Sequence, residues 1–114
     1  MKKIRFKHQF VELIPRQLEE STLYISIAYG TVVHKCACRC GSEVVTPLSK
    51  DGWAITYDGE SITLYPSIGN WNLPCKSHYW IRESCIKWSI PWHEYQNRKQ
   101  DQENLWQKFL SYLN

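Results

Sequence analysis

The stretch WAITYDGESITLY at residues 53–65 decides the fold, because two runs of β-branched and aromatic residues flank an Asp58-Gly59 pair. Such residues favour strands, and Asp-Gly supplies the positive φ that a tight turn between antiparallel strands requires. We therefore predict a β-hairpin with strands at 53–57 and 61–65.

The chain on either side of this hairpin shows similar runs of β-branched and aromatic residues. We predict strands at 22–29, 31–36, 43–46, 78–82 and 85–89, a bulged strand within 4–13 and a short helical turn at 15–20. From Asp101 the apolar residues recur on one helical face, which predicts an amphipathic C-terminal helix. The predicted fold class is therefore mainly β (α+β), a small antiparallel β domain containing a zinc knuckle, followed by a C-terminal amphipathic helix.

Length and composition bound the domain count and the function classes. A length of 114 residues predicts one domain. The chain is 43% hydrophobic and carries a net charge of +3, as is ordinary for a globular protein. We divide it into a zinc-binding β domain at 1–92 and a linker with the helix at 93–114, packed on the same domain or docked on another chain. No apolar run approaches the ~18 residues of a membrane span, and no signal peptide is evident, so we expect a cytoplasmic protein without a membrane partner. The positive charge is scattered, which argues against nucleic acid as a partner.

Aromatic residues are unusually abundant. Six Trp and seven Tyr exceed what a small core normally holds. Some of them are expected to line a binding surface, since aromatic side chains combine large contact area with few rotors, although core positions explain them equally well.

Three of the five cysteines fall in HKCACRCG at residues 34–41, and Cys75 lies three positions before His78. Such clustering without an export signal indicates a metal site rather than disulfides. Zinc brings its thiolates to within ~4 Å of one another, so the chain has to turn sharply here. A structural site with four thiolates leaves His78 free for chemistry, and the alternative set includes His78 as a ligand. The ligands that we favour are Cys36, Cys38, Cys40 and Cys75.

The run PSIGNW at residues 66–71 has the composition of a functional loop, although on the residues alone an ordinary Asx-type turn is the favoured interpretation. Ser67 is a candidate nucleophile, with His78 or His34 as general base. Asn70 or the backbone N–H groups around Gly69 are candidate oxyanion donors.

Two other residues bear on this assignment. Ser77 is a neighbour of His78 and on a strand would point to the opposite face, which makes it the second choice of nucleophile. Asp58 is a candidate carboxylate for orienting the histidine.

These motifs carry a resemblance to a known family. The sequence resembles a family of small bacterial proteins catalogued as a domain of unknown function, encoded beside ubiquitin-like proteins and E1-like and E2-like enzymes, some of them linked to phage defence. The matching segments cover about half of the chain: HxCxCxCG at 34–41, VVTPL at 44–48, Trp53, DGES at 58–61, PSIGNW at 66–71 and PCxSHYWI at 74–81. Arg39 departs from the Gly that relatives usually have there.

The resemblance implies a peptidase that trims the C-terminal tail of a ubiquitin-like precursor, with E1-like and E2-like proteins as further partners. It favours Ser67 as nucleophile and His78 as base. In our interpretation, the Gly69–Asn70 segment steadies the oxyanion, and structural zinc holds the two halves of the site together. Aromatic residues would grip the extended tail, and those that we assign to substrate binding are Trp53, Trp71, Tyr79 and Trp80.

Two other functions compete with this interpretation. The first is a non-enzymatic zinc module that binds the ubiquitin-like protein or its conjugating enzymes. The second is a metallohydrolase in which zinc carries the attacking water and Glu43 or Glu60 is the base.

Overall fold

A computed structural model describes residues 4–89, which form two four-stranded sheets. The first sheet has the order β1-β2-β3-β4 and the second the order β5-β6-β7-β8. The strands are β1 (Lys7–Phe10), β2 (Thr22–Ser26), β3 (Thr31–Lys35), β4 (Glu43–Pro47), β5 (Ala54–Tyr57), β6 (Ile62–Gly69), β7 (His78–Arg82) and β8 (Cys85–Trp88). Within residues 4–89 no helix is long and apolar enough to cross a membrane. The predicted C-terminal helix lies outside the described residues.

The first sheet is mixed rather than antiparallel, so that part of the prediction is wrong. β1 runs parallel to β2, with Lys7 opposite Thr22, whereas β2, β3 and β4 are mutually antiparallel. A parallel pair requires a crossover connection, and residues 11–21 provide it. This segment contains no helical turn, and its Leu18 packs with Tyr24 and Val33 on the outer face of the sheet.

The second sheet is an antiparallel meander that begins with the predicted hairpin. Tyr57 pairs with Ile62, so residues 58–61 form the turn. Gly59 has φ +96°, and the Asp58 carboxylate accepts hydrogen bonds from the N–H groups of Glu60 and Ser61. The turn is therefore stabilised by a side chain as well as by glycine.

β6 continues beyond the predicted strand to Gly69, through two thirds of the segment assigned to a loop. It pairs with β7 at Leu64 and again at Ile68, with a register shift between them, and the Tyr65–Pro66 peptide is cis. A bulge of this kind bends a strand and re-aims its side chains. Ser67 lies in this bulge.

The core lies between the two sheets. Apolar side chains from both inner faces form one cluster, in which Ile25 and Val32 come from the first sheet and Leu64, Ile68 and Ile81 from the second. Residues 4–6 cover the edge of β8, since Phe6 N–H donates to Ser84 O and Ile86 N–H donates to Ile4 O. The outer face of β6 and β7 is not part of this core.

Candidate active site and metal centre

Ser67 and His78 are joined by a hydrogen bond. Ser67 Oγ lies 2.8 Å from His78 Nε2, and both residues are half-buried. Their neighbours Ile68 and Tyr79 are an opposed pair whose side chains are buried in the core, so Ser67 and His78 share the outer face. This contact is the arrangement in which an imidazole removes a proton from a serine hydroxyl.

Within residues 4–89 no carboxylate contacts His78. Asp58, the candidate orienting residue, instead uses its carboxylate within the hairpin turn. His34, the alternative base, is fully buried, and its Nε2 lies 2.7 Å from the Tyr79 hydroxyl. Burial lowers the pKa of His34 to about 4. Of the predicted partners, only His78 meets Ser67.

Trp71 covers one end of the dyad. Its ring meets that of His78 edge-on, with centroids 5.3 Å apart. Gly69 lies opposite His78 on β6, and a Cβ added to Gly69 would lie 2.8 Å from Trp71 Nε1. Glycine at this position thus permits the indole to approach the strand closely.

The four predicted cysteine ligands converge. The sulfur atoms of Cys36, Cys38, Cys40 and Cys75 all lie within 4.8 Å of one another. The Sγ–Sγ distances from Cys36 are 3.3 Å to Cys38 and 3.7 Å to Cys75. Tetrahedral thiolate coordination at ~2.3 Å requires similar spacing, so the four residues could hold a metal ion. His78 is not part of this group.

The cluster is chemically suited to a cation. Burial raises the pKa of the thiols of Cys36 and Cys38. For Cys40, burial also acts to raise the pKa, but hydrogen bonds from the side chain and backbone of Ser42 outweigh it and lower the pKa to about 6. A divalent cation would offset the cost of placing several thiolates together.

Ser77 and Asn70, both predicted to take part in catalysis, face the cysteine cluster instead. Ser77 is buried, with its Oγ 3.0 Å from Cys36 Sγ. The Asn70 amide donates to Ser77 Oγ at 2.9 Å and to Cys36 Sγ at 3.6 Å, and its backbone N–H donates to Ser77 O. The donors of Asn70 are thus directed away from Ser67.

The four aromatic residues assigned to substrate binding separate into two groups. Trp71 is 45% exposed and Trp80 is half-buried on the outer face. Trp53 is partly buried and packs against the core. Tyr79 is fully buried, and its hydroxyl accepts from the N–H of Ala37, so the structure places it in the core rather than on the outer face.

The sequence analysis did not identify two exposed residues, Tyr65 and Arg82, that lie on the same outer face as the dyad. The Tyr65 ring lies 6.1 Å from that of Trp80, and the Arg82 guanidinium lies 4.5 Å from the centroid of Trp80. The alternation His78, Trp80, Arg82 along a predicted strand was the signal that could have identified Arg82.

A family model described as bacterial ubiquitination-like system serine protease (BubE) matches residues 10–89, more than two thirds of the chain. No curated protein and no solved structure matches.

Proposed function

Because the chain belongs to the BubE family of bacterial ubiquitination-like system serine proteases, we propose that it trims the C-terminal tail of a ubiquitin-like precursor. The observation that carries the proposal is the 2.8 Å contact between Ser67 Oγ and His78 Nε2. It supplies a nucleophile and a base on an outer sheet face, where an extended peptide can approach.

In the proposed mechanism, Ser67 Oγ attacks the carbonyl carbon that precedes the tail, and His78 Nε2 accepts the hydroxyl proton. His78 then gives this proton to the amine of the departing tail, which leaves the precursor esterified to Ser67. Water, deprotonated by His78, hydrolyses the ester and restores the serine. Ser67 has no registered partner on β5 or β7, and we assign the oxyanion to backbone N–H groups of this bulge.

The cysteine cluster is proposed to hold structural zinc. Four thiolates would close the coordination sphere, and the ion would join the segment after β3 to the segment before β7. The ion supplies a cross-link that fixes the start of β7, where His78 lies. Ser77 and Asn70 connect the ligands to the strand ends that carry the dyad.

The partner in this proposal is a ubiquitin-like precursor in the cytoplasm, with E1-like and E2-like proteins as further partners. The precursor's extended tail would lie along the outer face of β6 and β7. Exposed Trp71 and half-buried Trp80 are the aromatic contacts that we propose for the tail.

Intact-protein mass spectrometry tests the proposal. A precursor from the same system is incubated with the wild-type protein and with Ser67→Ala and His78→Ala. Wild type should remove the tail, and the two variants should be slower by at least about a thousandfold. Ser49→Ala and His8→Ala, which lie outside the site, should retain activity. A stable complex with no change of mass in any tube would identify a binding module and overturn the peptidase proposal.

A further inference from the structure

The outer face of β6 and β7 continues beyond the dyad as a row of large side chains. Tyr65 lies two residues before Ser67, and Trp80 lies two residues after His78. Arg82 follows Trp80 by two more positions and completes the row at the end of β7. The row therefore leads from the reacting atoms to a cation.

Arg82 is positioned by the rings of Trp80 and Tyr65, which we call the aromatic shelf. Its guanidinium carbon lies 4.5 Å from the centroid of the Trp80 ring, and the Tyr65 ring lies 6.1 Å from that of Trp80 at an interplanar angle of 40°. Stacking on an indole holds a guanidinium in place while leaving its N–H donors at the edge free for an anion. Tyr65 is 66% exposed, so the shelf is open to a peptide.

Arg82 lies in a cleft of about 390 Å³ that is also lined by Thr63, Glu83 and Lys87. Lys87 is the cross-strand partner of Trp80, which brings a second cation to the shelf. Neither Arg82 nor Lys87 forms an ion pair with an acidic residue of the described chain, Glu83 included. We call this cleft, lined by two cations and one carboxylate, the tail cleft.

The chemistry of the dyad gives the direction of the substrate. His78 must protonate the departing amine, so the departing segment passes over His78. Trp71 occupies the end near Gly69, which leaves the path along β7 over Trp80 to Arg82. The four steps along β7 from His78 to Arg82 span ~13 Å, the length of about four extended residues.

We propose that the tail cleft binds the free α-carboxylate of the departing tail. The proposal rests on the proposed peptidase function and adds its substrate class: precursors that end about four residues beyond the cleaved bond. The carboxylate would accept hydrogen bonds from Arg82 and lie near the Lys87 ammonium, while Trp80 supports the intervening residues. The cleft would thereby measure the length of the tail.

Binding to the Ser67→Ala variant tests the carboxylate separately from cleavage. Two hexapeptides copy the last six residues of the precursor, one with a free carboxylate and one with a C-terminal amide. Calorimetry should give an about tenfold lower Kd for the peptide with the free carboxylate, the order expected for a charge-assisted hydrogen bond.

A second substitution in the Ser67→Ala protein identifies the groups responsible. Arg82→Ala or Lys87→Ala should abolish the preference for the carboxylate, and Arg82→Lys should retain part of it. Arg16→Ala, on the segment that covers the first sheet, should leave the preference unchanged. Glu83→Gln removes a carboxylate from the cleft and should lower the Kd of the peptide with the free carboxylate.

Equal binding of acid and amide would overturn the proposal, and so would an acid preference that survives Arg82→Ala and Lys87→Ala. Wild-type cleavage of precursors with tails of two, four and eight residues gives an independent reading. Activity should be highest for the four-residue tail. Equal activity with all three tails would contradict a role of the cleft in selecting tail length. Absence of cleavage with every tail would refute the peptidase function, whereas acid-selective binding would still establish the cleft.

Discussion

Ser77 Oγ lies 3.0 Å from Cys36 Sγ, and Ser77 is the residue directly before His78. The cysteine cluster and His78 are therefore connected through consecutive residues at the start of β7. Asn70 reinforces the connection from β6, because its amide donates to the same serine hydroxyl. Ser77 and Asn70 thus contribute to the cysteine cluster and to the strand ends of the dyad, so a change in one site should alter the other.

Ser77→Ala should slow cleavage without abolishing it. The substitution removes the acceptor of a buried Asn70 donor, at a cost of about 1–3 kcal/mol in unfolding free energy. We expect an about tenfold fall in kcat with bound zinc retained. A fluorophosphonate probe should still label Ser67 in this variant and fail to label Ser67→Ala. Labelling lost in Ser77→Ala and kept in Ser67→Ala would make Ser77 the nucleophile.

Removing the metal should disorder the site rather than remove a reagent from it. We expect one zinc per chain by elemental analysis, and loss of that zinc in Cys75→Ser. As a chelator extracts the ion, activity and near-UV circular dichroism should fall together, because His78 depends on the cross-linked segment. Cys85→Ala, at a buried cysteine outside the cluster, should keep its zinc. Activity lost while the spectrum stays intact would instead favour the metallohydrolase.

The hairpin and the set of four cysteine ligands could be anticipated because they depend on local chemistry. Asp58-Gly59 specifies a turn wherever it occurs, and thiolate spacing follows from the size of the ion. The pairing of Ser67 with His78 rested on residue type and on the family resemblance, because the prediction placed Ser67 in a loop rather than on a strand. The bulge that carries Ser67 beside His78 was not predicted.

The parallel β1–β2 pair, the bulge and the roles of Asn70 and Tyr79 could not be anticipated, because they depend on tertiary packing. Periodicity does not reveal the direction of a neighbouring strand. Tyr79 and Trp80 are similar as residues, and only the register against β6 directs one into the core and the other outward. Asn70 resembled an oxyanion donor until its partners, Ser77 and Cys36, were known.

Tyr79→Phe should destabilise the core without touching the dyad. The hydroxyl contacts His34 Nε2 at 2.7 Å and accepts from Ala37 N–H at 3.3 Å, and His34 Nδ1 has no partner in the described chain. Loss of the Tyr79 hydroxyl leaves the buried His34 imidazole without a hydrogen-bond partner, which should lower the unfolding free energy by about 1–3 kcal/mol. Urea unfolding should show this shift. Tyr57→Phe, which loses an exposed hydrogen bond to Gly59 O, should change stability by less than about 0.5 kcal/mol. Equal effects would contradict a buried role for the Tyr79 hydroxyl.

Asp58 should make the hairpin sensitive to acid. Hydrogen bonds from the Ser61 and Glu60 N–H groups and the Ser61 hydroxyl lower its pKa from 3.8 to about 2. Since the folded pKa lies below the unfolded value, the carboxylate stabilises the fold fully above pH 4, and this contribution is lost as the pH falls toward 2. The Tm difference between wild type and Asp58→Ala should therefore be largest above pH 4 and shrink below it. Asp51→Ala, whose carboxylate makes no hydrogen bond within residues 4–89, should show a small and constant difference. A difference for Asp58→Ala that is independent of pH would show that the carboxylate charge does not stabilise the turn.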